Sequence, residues 1–170
     1  EPIDDALRGK IAHFCDVDYE AVVNTPDAGT IYEVPLVLEE HNIGEFIVKR
    51  IGLDIEPDSS KLDEWRDIVK SLKITEPVVN IGIVGKYVEL EDSYISIRES
   101  LLHAAASIGV KANIKFLSSD VEELDQDAMN ELQGILIPGG FGERGFEGKL
   151  DAVEYAIENN VPLFGICLGM

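Results

Sequence analysis

The chain has 170 residues, 45% of them apolar, and a formal net charge of −19. The length suits one domain and part of another. The charge excludes a general nucleic-acid surface, which needs clustered Lys and Arg, but not single nucleotides, which a few cations and backbone N–H groups can hold.

The longest apolar runs are too short to span a bilayer. No signal peptide is visible, and two distant cysteines make no disulfide framework, so a cytoplasmic protein fits best. In chain order, Ile11-Ala12-His13-Phe14-Cys15 reads as a short apolar strand, with Cys15 in the core. Asp18–Val22 reads as a helical turn and residues 24–29 as turn chemistry. Residues 31–35 should be extended, because a residue before proline avoids the helical region. Leu36–His41 and Glu45–Ile51 read as helices separated by Asn42-Ile43-Gly44. A boundary is expected at Glu56-Pro57-Asp58-Ser59, followed by a helix capped by Ser60 with Asp63 and carrying Leu62, Trp65, Val69 and Leu72 on one face. Thr75-Glu76-Pro77 closes a linker.

From Val78 strands and helices alternate. Val78–Val84, Ala112–Leu117, Gly134–Pro138 and Val161–Cys167 read as strands. Between them lie a helix presenting Tyr94, Ile97, Leu101, Ala105 and Ile108, a helix over Val121–Leu132 capped by Asp120, and a helix presenting Leu150, Val153 and Ile157. Such alternation predicts an α/β fold with a parallel, flavodoxin-like sheet covered on both faces. Sites in such folds lie at the C-terminal ends of strands.

Two motifs fall there. In Gly165-Ile166-Cys167-Leu168-Gly169 the glycines flank a thiol just past a strand, the pattern of a nucleophile elbow. A free cysteine is more often a buried structural thiol, but the flanking glycines at a strand end favour a nucleophile. In Pro138-Gly139-Gly140-Phe141-Gly142 the bland reading is a flexible turn. The functional reading is an oxyanion hole, with Gly140 N–H and Leu168 N–H as the two donors. Glu143-Arg144-Gly145-Phe146-Glu147-Gly148 is either a solvated loop or a mobile segment beside the site. Gly82–Tyr87 lacks the full phosphate-loop spacing, so that reading is rejected. His13, His41 and His103 read as structural or surface residues, and no metal cluster is seen. No histidine follows Cys167 and Glu1 is no initiator methionine, so the chain reads as an internal piece of a longer protein.

The elbow and the Gly-Gly loop together resemble the class I glutamine amidotransferases. Residues 83–90, 92–94 and 142–145, with Lys10–Cys15, Thr30–Pro35 and Lys49–Leu53, narrow the resemblance to the CTP synthase family. It implies that residues 1–57 end an α/β amidoligase domain, 58–77 form a linker with a helix, and 78–170 form the first half of a glutaminase domain. It implies ATP-dependent amination of UTP to CTP with ammonia from glutamine, stimulation by GTP, product inhibition by CTP, and a homotetramer. By that resemblance Cys167 is the nucleophile. Gly139, Gly140, Leu168, Gly169 and Met170 bind glutamine. Lys10 contacts UTP or CTP, Pro26, Asp27 and Ala28 border ATP, and Arg144, Gly145 and Glu147 form a lid that meets GTP. Pro26 and Gly29 depart from the pattern common in bacterial members. The magnesium carboxylates and the triad His and Glu would lie outside these residues. Two rivals remain: a glutaminase serving GMP or anthranilate synthesis, which predicts a different oxyanion loop and nothing like residues 10–53, and a non-enzymatic flavodoxin-like binding module, which predicts no reactive thiol.

Overall fold

The computed structural model describes residues 3–55 and 58–170, with Ser59 and Glu91 described by their backbone alone. The boundary expected at Glu56-Pro57, and Glu1, lie outside the described residues. The chain divides into two compact units, residues 1–70 and 71–170.

The first unit is helical among its described residues. Helix α1 spans Asp5–Cys15, so the strand expected at 11–15 is instead the end of a helix. A five-residue apolar run cannot distinguish the two. Capping decides: the Asp4 carboxylate accepts from Leu7 N–H at 2.7 Å, and Asp16 closes the helix in the left-handed region. Cys15 is exposed rather than in the core. Tyr19–Ala21 forms the expected turn, here a 3-10 helix.

Residues 31–35 are not extended either. Ile31–Glu33 form a 3-10 turn that leads into helix α2, Val34–Glu40. Thr30 and Glu33 make a capping box, and Pro35 sits in the first turn, where its missing N–H costs nothing. Helix α3 spans Ile43–Ile51, with only His41 and Asn42 separating it from α2. Helix α4 spans Ser59–Leu72. Asp58, not Ser60 with Asp63, organises its start: Asp58 accepts from the Ser60 N–H at 3.0 Å and the Ser60 hydroxyl at 2.6 Å, while Asp63 pairs with Arg66. On the predicted face of α4, Val69 is buried and the Trp65 indole N–H donates to the Tyr32 carbonyl at 2.8 Å.

In the second unit, β1 (Val78–Gly85) is followed by α5 (Ile95–Ser107), β2 (Lys111–Ser118), α6 (Gln126–Asn130), β3 (Gly134–Ile137), α7 (Phe146–Glu158) and β4 (Leu163–Gly165). The sheet is parallel, in the order β2-β1-β3-β4. Strand side chains alternate between faces, and two cores result. Val84, Ile135 and Ile137 face one way, against Met129, Leu132, Ala152 and Ala156. Ile83 and Leu136 face the other, with Tyr94, Ile97 and Leu101. Helices therefore cover both faces, as the alternating pattern predicts.

Three details differ from expectation. Residues 121–124 are irregular and only Gln126–Asn130 is helical, because the Asp125 carboxylate caps the N–H groups of Asp127 and Ala128 at 3.0 and 3.1 Å. Helix α7 buries Gly148, Lys149, Ala152 and Ala156, leaving Leu150 and Ile157 exposed. A side chain on Gly148 would strike the Ser119 carbonyl, so this helix approaches the end of β2 on its smallest face. Ile108 is exposed, outside the buried stripe of α5.

Candidate active site

The order β2-β1-β3-β4 places the topological switch between β1 and β3. Parallel sheets open a crevice there, at the carboxyl ends of their strands. Three segments emerge at that edge: Lys86-Tyr87 after β1, Pro138–Gly142 after β3, and Ile166–Gly169 after β4.

The β4 segment turns immediately. Cys167 has φ +56°, a left-handed conformation that a residue with a side chain rarely adopts, and it begins a short 3-10 turn through Gly169. Strain of this kind at a single residue is a mark of functional sites. The turn is pinned to β3: the Ile166 N–H donates to the Ile137 carbonyl at 3.0 Å. Gly165 and Gly169 are obligatory. A β-carbon on Gly165 would strike the Gly169 carbonyl, and one on Gly169 would strike the Ile137 carbonyl. The Cys167 thiol ends up exposed at the sheet edge.

Gly139 runs alongside it. A β-carbon there would come to 3.3 Å from Cys167 Cβ and 3.8 Å from Sγ. The structure thus brings Gly139, Gly140, Cys167, Leu168 and Gly169 together at one edge. Met170 follows, almost fully exposed. Lys10, exposed on α1, and Pro26, Asp27 and Ala28, in the irregular stretch after Ala21, belong to the other unit.

Two lysines at this edge were not singled out as functional from the sequence. Lys86 donates to the Phe141 carbonyl. Lys149 is buried, and its ammonium donates to the Pro138 carbonyl at 3.3 Å. Burial pushes the Lys149 pKa down, the Lys86 charge adds to that, and Cys167 opposes it. The one available signal was a lysine on the small-residue stripe of α7, in register with Ala152 and Ala156.

Residues 144–147 follow directly. Gly145 has φ +74°, and a β-carbon there would lie 2.6 Å from the Ser119 hydroxyl. Arg144 pairs with Asp120 at 3.1 Å, and its guanidinium lies 6.0 Å from the centre of the Tyr87 ring. Both charges are solvated, so the pair is worth about 0–1 kcal/mol and is easily exchanged. Glu147 lies in the first turn of α7. It lines a depression of about 410 Å³ shared with Asp120, Glu122 and Glu143. Those carboxylates would repel a triphosphate. Arg144 is the one cation of residues 143–148. Among the described residues no three His, Cys, Asp or Glu side chains cluster to hold a metal ion, and no helix is long and apolar enough to cross a membrane.

A thiol on a strained strand-to-turn elbow beside a glycine loop, on a parallel sheet wrapped on both faces, is the arrangement expected of a class I glutamine amidotransferase domain. The model of that family, described as glutamine amidotransferase class-I, matches residues 89–170, and one described as CTP synthase N-terminus matches residues 1–53. Proteins named CTP synthase from Methanothermobacter thermautotrophicus and Methanosphaera stadtmanae are 61% and 54% identical, each matching 99% of this chain. The chain spans 31% of the length of each. The solved glutaminase domain of Trypanosoma brucei CTPS, with bound acivicin, is 36% identical, with a TM-score of 0.47, covering 54% of this chain and 37% of that one. The chain belongs to the CTP synthase family.

Proposed function

We propose that these residues are part of a glutamine-hydrolysing CTP synthase, a ligase of pyrimidine nucleotide synthesis that aminates UTP at the expense of ATP. Residues 1–57 would be the end of its amidoligase domain, 58–77 the linker, and 78–170 the first half of its glutaminase domain. The observation that carries the reading is Cys167 held at φ +56° past the end of β4, with Gly139 beside its thiol.

The chemistry follows from that placement. Cys167 Sγ attacks the side-chain amide carbon of glutamine. The carbonyl π electrons move to oxygen, and the N–H groups of Gly140 and Leu168 hold the resulting oxyanion. On collapse the amide nitrogen takes up the proton that the thiol gave to the base and leaves as ammonia, and the glutamyl thioester left behind is hydrolysed by water to glutamate. The base that accepts the thiol proton would be a His oriented by a Glu beyond Met170. Gly139, Gly169 and Met170 would complete the glutamine pocket. In the other domain ATP would phosphorylate the uracil 4-oxygen of UTP, and the ammonia would displace that phosphate. Mg2+ would neutralise ATP's phosphates on carboxylates outside these residues, and Pro26, Asp27 and Ala28 would border the adenine. GTP as activator, CTP as inhibitor, a homotetrameric assembly and a cytoplasmic location complete the proposal. The test is direct: the full protein given UTP, ATP and glutamine should form CTP, and absence of CTP would end this reading.

Two substitutions separate the parts. Lys10→Ala should weaken UTP binding roughly tenfold while leaving basal glutamine hydrolysis within about twofold, because a lysine acts on phosphate as a point charge and Lys10 belongs to the other unit. Equilibrium binding and glutamate release would check this, and unchanged UTP affinity would contradict it. Arg144→Ala should remove most of the GTP stimulation and spare GTP-independent ammonia use, because the lid offers Arg144 for phosphate. A GTP titration of glutaminase activity reads the outcome; full stimulation in the variant would be incompatible with the assignment.

A further inference from the structure

The Gly139–Gly140 loop has a weakness. Two adjacent glycines leave the backbone unusually free, so nothing intrinsic to this dipeptide turns an N–H toward Cys167. The flanking peptides are held instead. The Lys149 ammonium takes the Pro138 carbonyl at 3.3 Å, and the Lys86 ammonium takes the Phe141 carbonyl. These two carbonyls bracket Gly139 and Gly140. A trans peptide points its carbonyl and N–H in opposite directions, so fixing the outer carbonyls fixes the outer peptide planes and confines the peptides between them. At Gly140 an added β-carbon would lie 3.6 Å from Lys149 Nζ and 3.7 Å from Lys86 Cε, so both side chains run along the loop. The Cys167 thiol approaches it at Gly139.

We propose that Lys86 is a positioning residue for the oxyanion loop, with Lys149 as its buried counterpart, and this rests on the glutaminase reading above. The arrangement needs cations rather than neutral donors for two reasons. Ammonium-to-carbonyl bonds are charge-assisted and stronger. Positive charge beside the loop also favours the negative charge that develops on the substrate oxygen. Lys86 is the more accessible of the two and reaches the lid as well: a β-carbon on Gly145 would lie 3.4 Å from Lys86 Cβ. Lys149 contributes less independently, since its single hydrogen bond among the described residues is long.

The experiment uses the full-length protein without GTP. Lys86→Met should lower kcat for glutamine hydrolysis about tenfold or more, less than the loss of an oxyanion donor itself, with KM for glutamine within about threefold. Ammonia-dependent CTP formation should be unchanged, which also shows that the variant folds. Lys86→Arg, which keeps a cationic donor, should recover most of the rate. Lys149→Met should cost a few-fold, and the double variant should lose less than the product of the two single losses, because both lysines hold one loop. Unchanged kcat in Lys86→Met, a loss confined to GTP stimulation, or an equal fall in ammonia-dependent activity would each overturn the proposal. A wild-type protein that hydrolyses no glutamine would overturn the glutaminase reading along with it.

Discussion

Replacing Cys167 by alanine in the full protein should abolish glutamine-dependent CTP formation and leave ammonia-dependent formation intact. In the proposed mechanism the thiol is the group that forms the covalent bond with the amide carbon. Without it the proposed oxyanion donors would persist, but no thioester could form. Losing the nucleophile of a covalent mechanism costs several orders of magnitude in rate. Free ammonia bypasses the step entirely, so the same variant serves as its own folding control. A second measurement sharpens the test. Cys15 and Cys167 are both exposed, so accessibility does not distinguish them. A glutamine-like diazoketone should nevertheless label Cys167 and spare Cys15, because Cys167 sits on the strained turn with the Gly139 backbone beside its thiol, the place proposed for glutamine. Labelling at Cys15, or glutamine-dependent CTP from the alanine variant, would rule out this chemistry.

Gly165→Ala and Gly169→Ala should each reduce glutamine hydrolysis about a hundredfold or more. The new methyl group would meet a backbone carbonyl in both cases, Gly169 in the first and Ile137 in the second. Flexible side chains could turn aside; a backbone oxygen cannot without moving the 3-10 turn in the first case or strand β3 in the second. The Ile137 carbonyl also accepts the Ile166 N–H, so relieving the clash at Gly169 strains the bond that fixes the elbow. Overpacking of this kind costs about 1–3 kcal/mol or more in stability. A shift near 1 Å at the thiol is itself worth about a hundredfold in rate. Glutaminase kinetics and a thermal melt of each variant would check both effects, and near-native activity in either would mean the turn is looser than described.

The sheet was legible because its strands are runs such as Val78-Val79-Asn80-Ile81-Gly82-Ile83-Val84, bounded by turn residues and separated by helical periods. The elbow was legible for a different reason: glycines on both sides of a cysteine are hard to explain without a close approach of backbones. Elsewhere the chain read less clearly, and the causes are particular. The apolar run at 11–15 is too short to carry a period, and only the caps Asp4 and Asp16 reveal the helix. In α7 the large residues Leu150 and Ile157 drew attention to the wrong face; the buried one is marked by Gly148, Ala152 and Ala156 because the helix packs close. Asp120 and Asp125 are chemically equal caps, and the choice between them is settled by which carboxylate reaches two N–H groups. The lysine pair was invisible because a lysine's partner depends on where its long stem leads. Lys86 meets the Phe141 carbonyl, 55 residues away in sequence.

That separation has a further meaning. Lys86, Gly139 and Cys167 follow three different strands, and β1 and β4 touch only through β3. No stretch of local structure contains the site. A chain still being made, or one whose β3–β4 register has opened, carries an exposed thiol without the proposed Gly140 donor aligned to it. Pairing of distant parallel strands is among the later and slower events in folding. Ammonia release would therefore begin only when the sheet has closed around β3, making the completed fold its own safety catch against wasting glutamine.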